Sequence, residues 1–292
     1  MLTMVFTSLI FHKYVMRWIA ILFSLLPLFN IYAQVKYPIV GTYKGKTAQG
    51  MAIWEDEAYL FNDGGHCRVL SLQTGRVVKE FDIASASKKT HVNAACIVKN
   101  TDSNSGCPLM YISEFNLPSR CFVECLTDSA SNLVQTICAQ EDAKDVWVQS
   151  WIVDGVNSHL YSIARMPLKK NEKNTTKVKI VKYRLPLLSE GDNVVMTEKD
   201  RIDSFVVDFA SGTQGGKIKG KNMYIVSGLQ QSANGQFNAK RAIQVIDLKK
   251  KRRVREVDLT YVTTNEPEDI DFYHNKCLLY CGQEGGIYQI KL

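Results

Sequence analysis

The sequence has few histidines and tryptophans, and it has no long apolar stretch after its first 33 residues. Its five histidines show neither the helical nor the Cys-linked spacing of a zinc site. Its four tryptophans, at positions 18, 54, 147 and 151, form no repeated motif. After residue 33 no apolar stretch reaches the roughly 20 residues that a membrane-spanning helix needs, and no segment has a long helical period. These absences argue against a zinc protein and against a helical fold.

Charge is also modest, with 36 Lys and Arg against 29 Asp and Glu, a formal net charge of +7. There is no stripe of Lys and Arg with interleaved aromatics of the kind that nucleic-acid binders carry. The basic run at 249–253 lies between two predicted strands, which favours a solvated hairpin turn. Contact with an acidic surface such as an anionic glycan is the alternative. We therefore expect no nucleic-acid partner.

The first 33 residues contain no acidic residue. His12, Lys13 and Arg17 precede an apolar run at 18–31, and Ala33 offers a small residue for cleavage. This order predicts a secretory signal peptide at 1–33, cut after Ala33; an uncleaved anchor is the alternative. We expect residues 34–292 to form one exported domain, periplasmic or secreted and associated with the cell envelope, with no stable membrane span.

Five segments of the mature chain share one pattern, in which a short strand signal, a polar turn and a second apolar strand signal follow one another. They begin at positions 49, 93, 149, 214 and 268, a spacing typical of propellers or solenoids. Two further strand signals follow in each unit, such as 67–72 and 76–83 around Gly75. Four short antiparallel strands make a propeller blade. The sequence therefore predicts an all-β fold, a single β-propeller of about five four-stranded blades.

The last repeat is one strand short, because the chain ends after residues 287–292. Residues 35–43 form a predicted strand ahead of the first repeat. If this strand completes the last blade, the ring closes and two unpaired sheet edges disappear. We therefore predict that an N-terminal strand closes the propeller.

Two segments resemble YVTN-type and quinoprotein-type (WD40-like) propeller repeats. They are residues 241–248 and residues 67–72 together with the Thr74-Gly75-Arg76 turn. In those repeats a strand is followed by Asp-Leu, then Thr-Gly, then a second strand. The mature chain also resembles exported propeller proteins of Bacteroidetes. The resemblance implies the fold and says almost nothing about function, because propellers host unrelated activities. The repeated Trp docking motif of quinoproteins is missing, so we expect no quinone cofactor.

The repeat places one polar residue of each unit at the start of the innermost strand, around one mouth of the channel. These five residues are Gln49, Asn93, Gln149, Gln214 and Glu268. Three more candidate ligand-binding residues, His91, Trp151 and Asp269, lie within two residues of this ring. Four amides and one carboxyl group suit a glycan, a peptide or an ordered water cluster. Alternatively these side chains cap strand ends and tie one blade to the next.

A propeller hydrolase would need two carboxyl groups flanking the scissile bond. The ring offers only Glu268, and on a regular strand Asp269 would point to the opposite face. We therefore favour a non-enzymatic propeller that binds a glycan, peptide or protein, without catalytic residues. A hydrolase or lyase using channel-mouth carboxylates and an architectural module of the cell envelope are the alternatives.

A calcium ion is the one cofactor for which the sequence offers ligands. The acidic residues Glu266, Glu268, Asp269 and Asp271 carry enough oxygen atoms, but they lack the spacing of a calcium loop. A solvated acidic strand entry is the simpler interpretation. We therefore expect no cofactor.

Eight cysteines in an exported chain raise the question of disulfides. Pairs four residues apart on one strand, such as Cys121 and Cys125, are separated by about 13 Å and cannot bond. Cys121 and Cys138 flank a predicted hairpin turn and are the candidate pair. Most of the cysteines are expected to be small apolar core residues.

Overall fold

The structure is a computed structural model that describes residues 34–37, 48–87, 89–100, 106–140, 147–166, 177–208, 212–228, 240–282 and 286–292, with the side chains of 34–37 and Trp147 left undescribed. In these ranges the chain forms 21 strands and one 3-10 turn. The strands make five sheets arranged as the blades of a β-propeller, which confirms the predicted fold. No helix among the described residues is long and apolar enough to cross a membrane.

Each blade has four strands that follow one another from the channel outward. The first contains β2 (Ala48–Trp54), β3 (Glu57–Asn62), β4 (His66–Ser71) and β5 (Val77–Asp82). The second contains β6 (Val92–Val98), β7 (Leu109–Glu114), β8 (Arg120–Leu126) and β9 (Ser131–Ala139). The third contains β10 (Trp147–Asp154), β11 (His159–Arg165), β12 (Lys177–Arg184) and β14 (Arg201–Asp208). The fourth contains β15 (Thr213–Lys219), β16 (Asn222–Ser227), β17 (Ala242–Asp247) and β18 (Arg252–Asp258). The fifth contains β19 (Pro267–Tyr273), β20 (Lys276–Cys281), β21 (Gly286–Ile290) and β1 (Gln34–Tyr37).

The strand β1 and the C-terminal strand β21 share the fifth blade, as predicted. Strand β1 pairs antiparallel with β21, with Gln34 opposite Gln289 and Val35 opposite Tyr288. Residues 38–43 of the predicted closing strand lie outside the described residues. Pairing with β1 removes the open edge that β21 would otherwise present.

The core is divided into five apolar clusters, one between each pair of neighbouring blades. Successive side chains of a strand point to opposite faces of the sheet. On β10, for example, Ile152 packs toward the fourth blade while Val153 packs toward the second. Both faces of each blade are therefore buried, which explains why the inner strands contain few exposed positions.

The second blade has a fifth strand that the repeat pattern did not predict. Strand β13 (Asn193–Met196) leaves the connection between β12 and β14 of the third blade and pairs in parallel with β9. Gln135 Nε2 holds this connection by donating to the carbonyls of Leu187 and Gly191, both at 2.9 Å. The added strand covers the outer edge of the second blade.

The predicted pairing of Cys121 with Cys138 is wrong. On β8 and β9, Arg120 lies opposite Cys138 and Cys121 lies opposite Ile137, so the two thiols are one position out of register. The disulfide joins Cys107 to Cys125 instead, with a Cα–Cα distance of 5.8 Å. The expected role as core residues is confirmed for five other cysteines, namely Cys67, Cys96, Cys121, Cys277 and Cys281.

Candidate functional site

The upper face of the ring is defined here as the face at which the innermost strands begin, and the lower face as that at which they end. Each innermost strand has a register shift near its start, at the positions of the predicted ring. The ring residues at these shifts are Gln49, Asn93, Gln149, Gln214 and Glu268. All five are buried. A bulge breaks the two-residue alternation of side chains locally, so the ring residues are structurally equivalent but not regular strand positions.

Several ring side chains join one blade to the next. Asn93 Nδ2 donates to the Gln149 carbonyl at 2.8 Å and to Ser150 Oγ at 2.6 Å. The Thr213 hydroxyl donates to Gln149 Oε1. Gln214 Nε2 donates to Glu266 Oε1 at 2.5 Å. These bonds run from the second blade to the fifth, as expected if the ring amides tie the blades together.

Below the ring, Asp269 spans the channel. Its Oδ2 accepts the Met51 N–H at 2.9 Å and the Ala95 N–H at 3.1 Å, and its Oδ1 accepts the Ile270 N–H at 2.8 Å. The side chain fits because residue 215 is glycine, where a Cβ would lie 2.1 Å from Asp269 Oδ1. One carboxyl group therefore joins the innermost strands of the first, second and fifth blades.

Burial raises the pKa of Asp269 well above its ordinary value, although the three N–H donors act in the opposite direction. The position of this side chain follows from strand alternation. Ile270 packs into the apolar cluster between the fourth and fifth blades, so Asp269 and Asp271 point away from that cluster and toward the first blade. There the two carboxyl groups accept hydrogen bonds from backbone N–H groups on the channel side of β2. These N–H groups have no neighbouring strand to bond with, because β2 is the innermost strand of its blade.

An ion pair occupies the next level of the channel. Lys217 Nζ lies 2.8 Å from Asp271 Oδ2 and 3.4 Å from Cys96 Sγ. Asp271 Oδ2 also accepts the Ile53 N–H at 2.9 Å. Burial alone would lower the pKa of Lys217, but the Asp271 carboxylate and Cys96 outweigh it and raise that pKa. Since Lys217 belongs to the fourth blade and Cys96 to the second, these contacts cross the channel.

Glu268 is the one carboxylic acid among the five ring residues. It is 1% exposed, and its Oε2 has no hydrogen-bond partner within the part of the chain that the structure describes. Burial, with the charges of Glu266 and Asp269, raises the pKa of Glu268 well above its ordinary value. The carboxyl group lies against Gly282, where a Cβ would come within 2.2 Å of Glu268 Oε1. This shift favours the protonated form of Glu268, and the neighbouring Glu266 is half-buried.

The remaining two candidates occupy different environments. His91 is half-buried, with its ring 5.3 Å from that of Phe115. Trp151 does not line the mouth, contrary to the prediction from the repeat. Its indole is 3% exposed and packs 6.3 Å from the ring of Tyr183 in the core between the second and third blades.

Among the described residues, no group of three or more His, Cys, Asp or Glu side chains is arranged to hold a metal ion. The oxygens of Asp269 and Asp271 bind N–H groups and Lys217, and a calcium ion at the acidic cluster would have to displace these donors. Sequence reasoning missed the part that Lys217 plays. The signal was a single lysine directly after Gly215 and Gly216, within an innermost strand.

No protein-family model and no curated protein sequence matches the chain. One similar solved structure is the glutaminyl cyclase of Myxococcus xanthus, with 11% identity, a TM-score of 0.47, and coverage of 90% of this chain and 94% of that one. Another is the hydrazine synthase of Kuenenia stuttgartiensis, with 11% identity, a TM-score of 0.42 and coverage of 79% of this chain. The chain spans 60% of that hydrazine synthase chain. Such low similarity carries no argument, so the propeller assignment rests on the five sheets themselves and the resemblance to YVTN-type repeats stays a prediction.

Proposed function

We propose that the chain is an exported, non-enzymatic binding propeller that recognises a glycan, peptide or protein partner at its upper face. The observation that carries this proposal is the pair formed by Glu266 and Glu268. A buried polar atom without a partner costs about 1–3 kcal/mol, and Glu268 Oε2 is such an atom. The raised pKa of Glu268 favours its protonated form, which can donate a hydrogen bond, and the half-buried Glu266 beside it adds acceptor oxygens. Sugar hydroxyls and peptide amides match that combination.

The state of the other acidic groups supports binding over catalysis. Asp269 accepts hydrogen bonds from three backbone N–H groups. Asp271 forms an ion pair with Lys217 and accepts hydrogen bonds from two backbone N–H groups. Glycoside hydrolysis needs two carboxyl groups on either side of a bond. Within the acidic segment 266–271, Glu268, Asp269 and Asp271 are buried and Glu266 is half-buried.

Two features support export. Residues 1–33 have the order of a secretory leader. In addition, the Cys107–Cys125 disulfide suits an oxidising compartment. We expect N-terminal sequencing of the secreted protein to begin at Gln34; a sequence that retains the apolar run at 18–31 would contradict cleavage.

The binding proposal is tested by screening the purified secreted protein against glycan and peptide arrays. For any ligand found, we expect Glu266→Gln to weaken binding by roughly tenfold, about 1.4 kcal/mol. Glu198→Gln is the matched control, because Glu198 is an exposed glutamate paired with Arg201 beside β14. If Glu266→Gln and Glu198→Gln bind the ligand equally well, the ligand does not bind at Glu266 and this part of the proposal is wrong. Cleavage of an arrayed glycan or peptide would overturn the non-enzymatic assignment, and stable co-purification with the cell envelope without any ligand would favour the architectural alternative.

A further inference from the structure

A groove of about 330 Å³ opens between the third and fourth blades at the lower face. It lies at the ends of the innermost strands opposite to the polar ring. All of its lining residues belong to the described part of the chain. Ligand pockets in proteins measure roughly 300–1,000 Å³, so the groove matches a ligand of the size of one sugar ring.

The groove forms where the packing between two blades changes from apolar to polar. On the third blade Ile163, Ile180 and Phe205 lie directly opposite one another on neighbouring strands and pack against the fourth blade. Two residues closer to the lower face, the equivalent row consists of Tyr161, Lys182 and Asp203. A row with a lysine and an aspartate cannot continue the apolar contact, and the groove occupies this level.

The groove carries an excess of unpaired positive charge. Lys182, Lys221 and Lys249 line it. Lys221 Nζ lies 3.7 Å from an Asp247 carboxylate oxygen, whereas no carboxylate of the described residues forms an ion pair with Lys182 or Lys249.

The two carboxylates of the groove already have partners. Asp154 accepts the backbone N–H of Asn157 at 3.1 Å and its side-chain N–H at 2.8 Å. Asp203 pairs with Lys251 at 2.8 Å, and this bridge joins the two blades. With the partners Lys251 and Asp247 included, four lysines face three aspartates, so the groove has a small net positive charge, and within the described part of the chain Lys182 and Lys249 are its lysines without an ion-pair partner.

Two aromatic residues supply neutral polar groups beside these lysines. The rings of His159 and Tyr161 meet edge to face with centroids 6.4 Å apart. Burial and the charge of Lys182 lower the pKa of His159, against the opposing effect of Asp154, and the shift favours the neutral imidazole. Burial raises the pKa of Tyr161 to about 12, so its phenol keeps its proton. Phe205 and Leu248 add apolar surface.

We infer that this groove binds a monosaccharide that carries a tetrahedral oxyanion, with Lys182 and Lys249 holding the oxyanion and His159 hydrogen-bonding the sugar ring. Lysine binds such anions as a compact point charge, and the aromatic and aliphatic wall suits the less polar side of a sugar ring. The shared chemistry is a phosphate or a sulfate ester. The groove lies on the face opposite to the polar ring, so this inference does not depend on the upper-face proposal.

Calorimetric titration at low ionic strength tests the inference, with glucose 6-phosphate, glucose 6-sulfate, glucose and inorganic phosphate as separate probes. We expect saturable binding of at least one ester, weaker binding of inorganic phosphate and no binding of glucose. Added salt should weaken the binding because the groove is open to solvent. No saturable binding of either ester at millimolar concentration would overturn the inference, and so would inorganic phosphate binding as tightly as the esters.

A pair of lysine variants on one strand locates the site. Lys182→Gln should weaken ester binding by roughly tenfold, about 1.4 kcal/mol. Lys179→Gln should leave it unchanged, because residues 179 and 182 of β12 point to opposite faces of the blade. Lys249→Gln, at an exposed turn position, should also weaken binding and tests the site even if Lys182→Gln fails to fold. Unaltered affinity in well-folded Lys182→Gln and Lys249→Gln would rule out this groove.

Discussion

Lys217 Nζ lies 2.8 Å from Asp271 Oδ2, and this ion pair joins the fourth and fifth blades inside the channel. The Asp271 side chain is 3% exposed and that of Lys217 is 16% exposed. Breaking a buried ion pair leaves an uncompensated charge, which is more costly than the pair itself is stabilising. Lys217 therefore compensates the charge of an aspartate that is buried inside the channel.

Replacing Lys217 by methionine should lower the free energy of unfolding by about 3–5 kcal/mol, since Asp271 then stays buried without its cation. Urea denaturation monitored by circular dichroism measures the change. Lys221→Met is the control, because Lys221 is largely exposed and lies 3.7 Å from Asp247; it should change stability by less than about 1 kcal/mol. Equal effects of the two substitutions would show that the channel pair has no special role.

The polar ring could be predicted from the sequence, whereas the ion pair could not. Gln49, Asn93 and the other ring residues recur at the same place in each repeat, so pattern matching finds them without any knowledge of distance. Lys217 and Asp271 come together only because the ring brings two blades into contact across the channel. Both residues lie three positions after the ring residue of their own repeat, where the other repeats have Ala52, Cys96 and Ile152. The repeat pattern alone does not show which of these side chains meet in the channel.

Two other predictions from the sequence differ from the structure because they also depend on tertiary packing. The Cys121–Cys138 pairing failed because a shift of one residue in the register of β8 and β9 moves a side chain to the other face. Strand β13 was missed because it pairs in parallel with a strand of another blade, and no turn marks such a partner. A hairpin is a local feature, whereas register and crossover pairing are decided by tertiary packing.

Gly215 should be intolerant of any side chain. In Gly215→Ala the new Cβ would lie 2.1 Å from Asp269 Oδ1, so the carboxyl group would have to leave its N–H donors. Overpacking alone costs roughly 1–3 kcal/mol, and the lost hydrogen bonds add to it. Thermal unfolding should show a clear decrease in Tm. Gly286→Ala is the control, because there the nearest heavy atom is 3.4 Å from the new Cβ; a similar decrease in both variants would contradict the explanation.

His66 and His159 should titrate in opposite directions from the ordinary value. Burial alone would lower the pKa of His66, but its hydrogen bonds to Asp82 at 2.7 Å and Glu80 at 3.1 Å outweigh burial and raise it. The pKa of His159 is lowered by burial and by Lys182. NMR titration of the imidazole signals should therefore show His159 losing its proton first as the pH rises. The reverse order would contradict the described contacts of both residues.

The same two shifts have opposite consequences for stability. The contribution of His66 is fully present below its unfolded pKa of about 6.5 and is lost as the pH rises through its higher folded pKa. The contribution of His159 is lost as the pH falls through its unfolded pKa toward its lower folded value. Because His66 and both its partners are substantially exposed, solvent screens their interaction and the effect on stability should be small. Asp82→Asn should move the pKa of His66 back toward its ordinary value.

Closure of the ring by β1 should matter out of proportion to its length. Deleting residues 34–44 would remove the backbone pairing of Gln34–Tyr37 with β21 and expose an edge of the fifth blade, so we expect loss of cooperative unfolding or aggregation. A control that keeps 34–37 and replaces 38–44 by glycine and serine should still unfold cooperatively, because the strand pairing survives. The deletion removes the pairing by which β1 joins the C-terminal strand β21 in a single sheet. A deleted protein with unchanged Tm and cooperativity would therefore show that the other blade interfaces alone keep the ring closed.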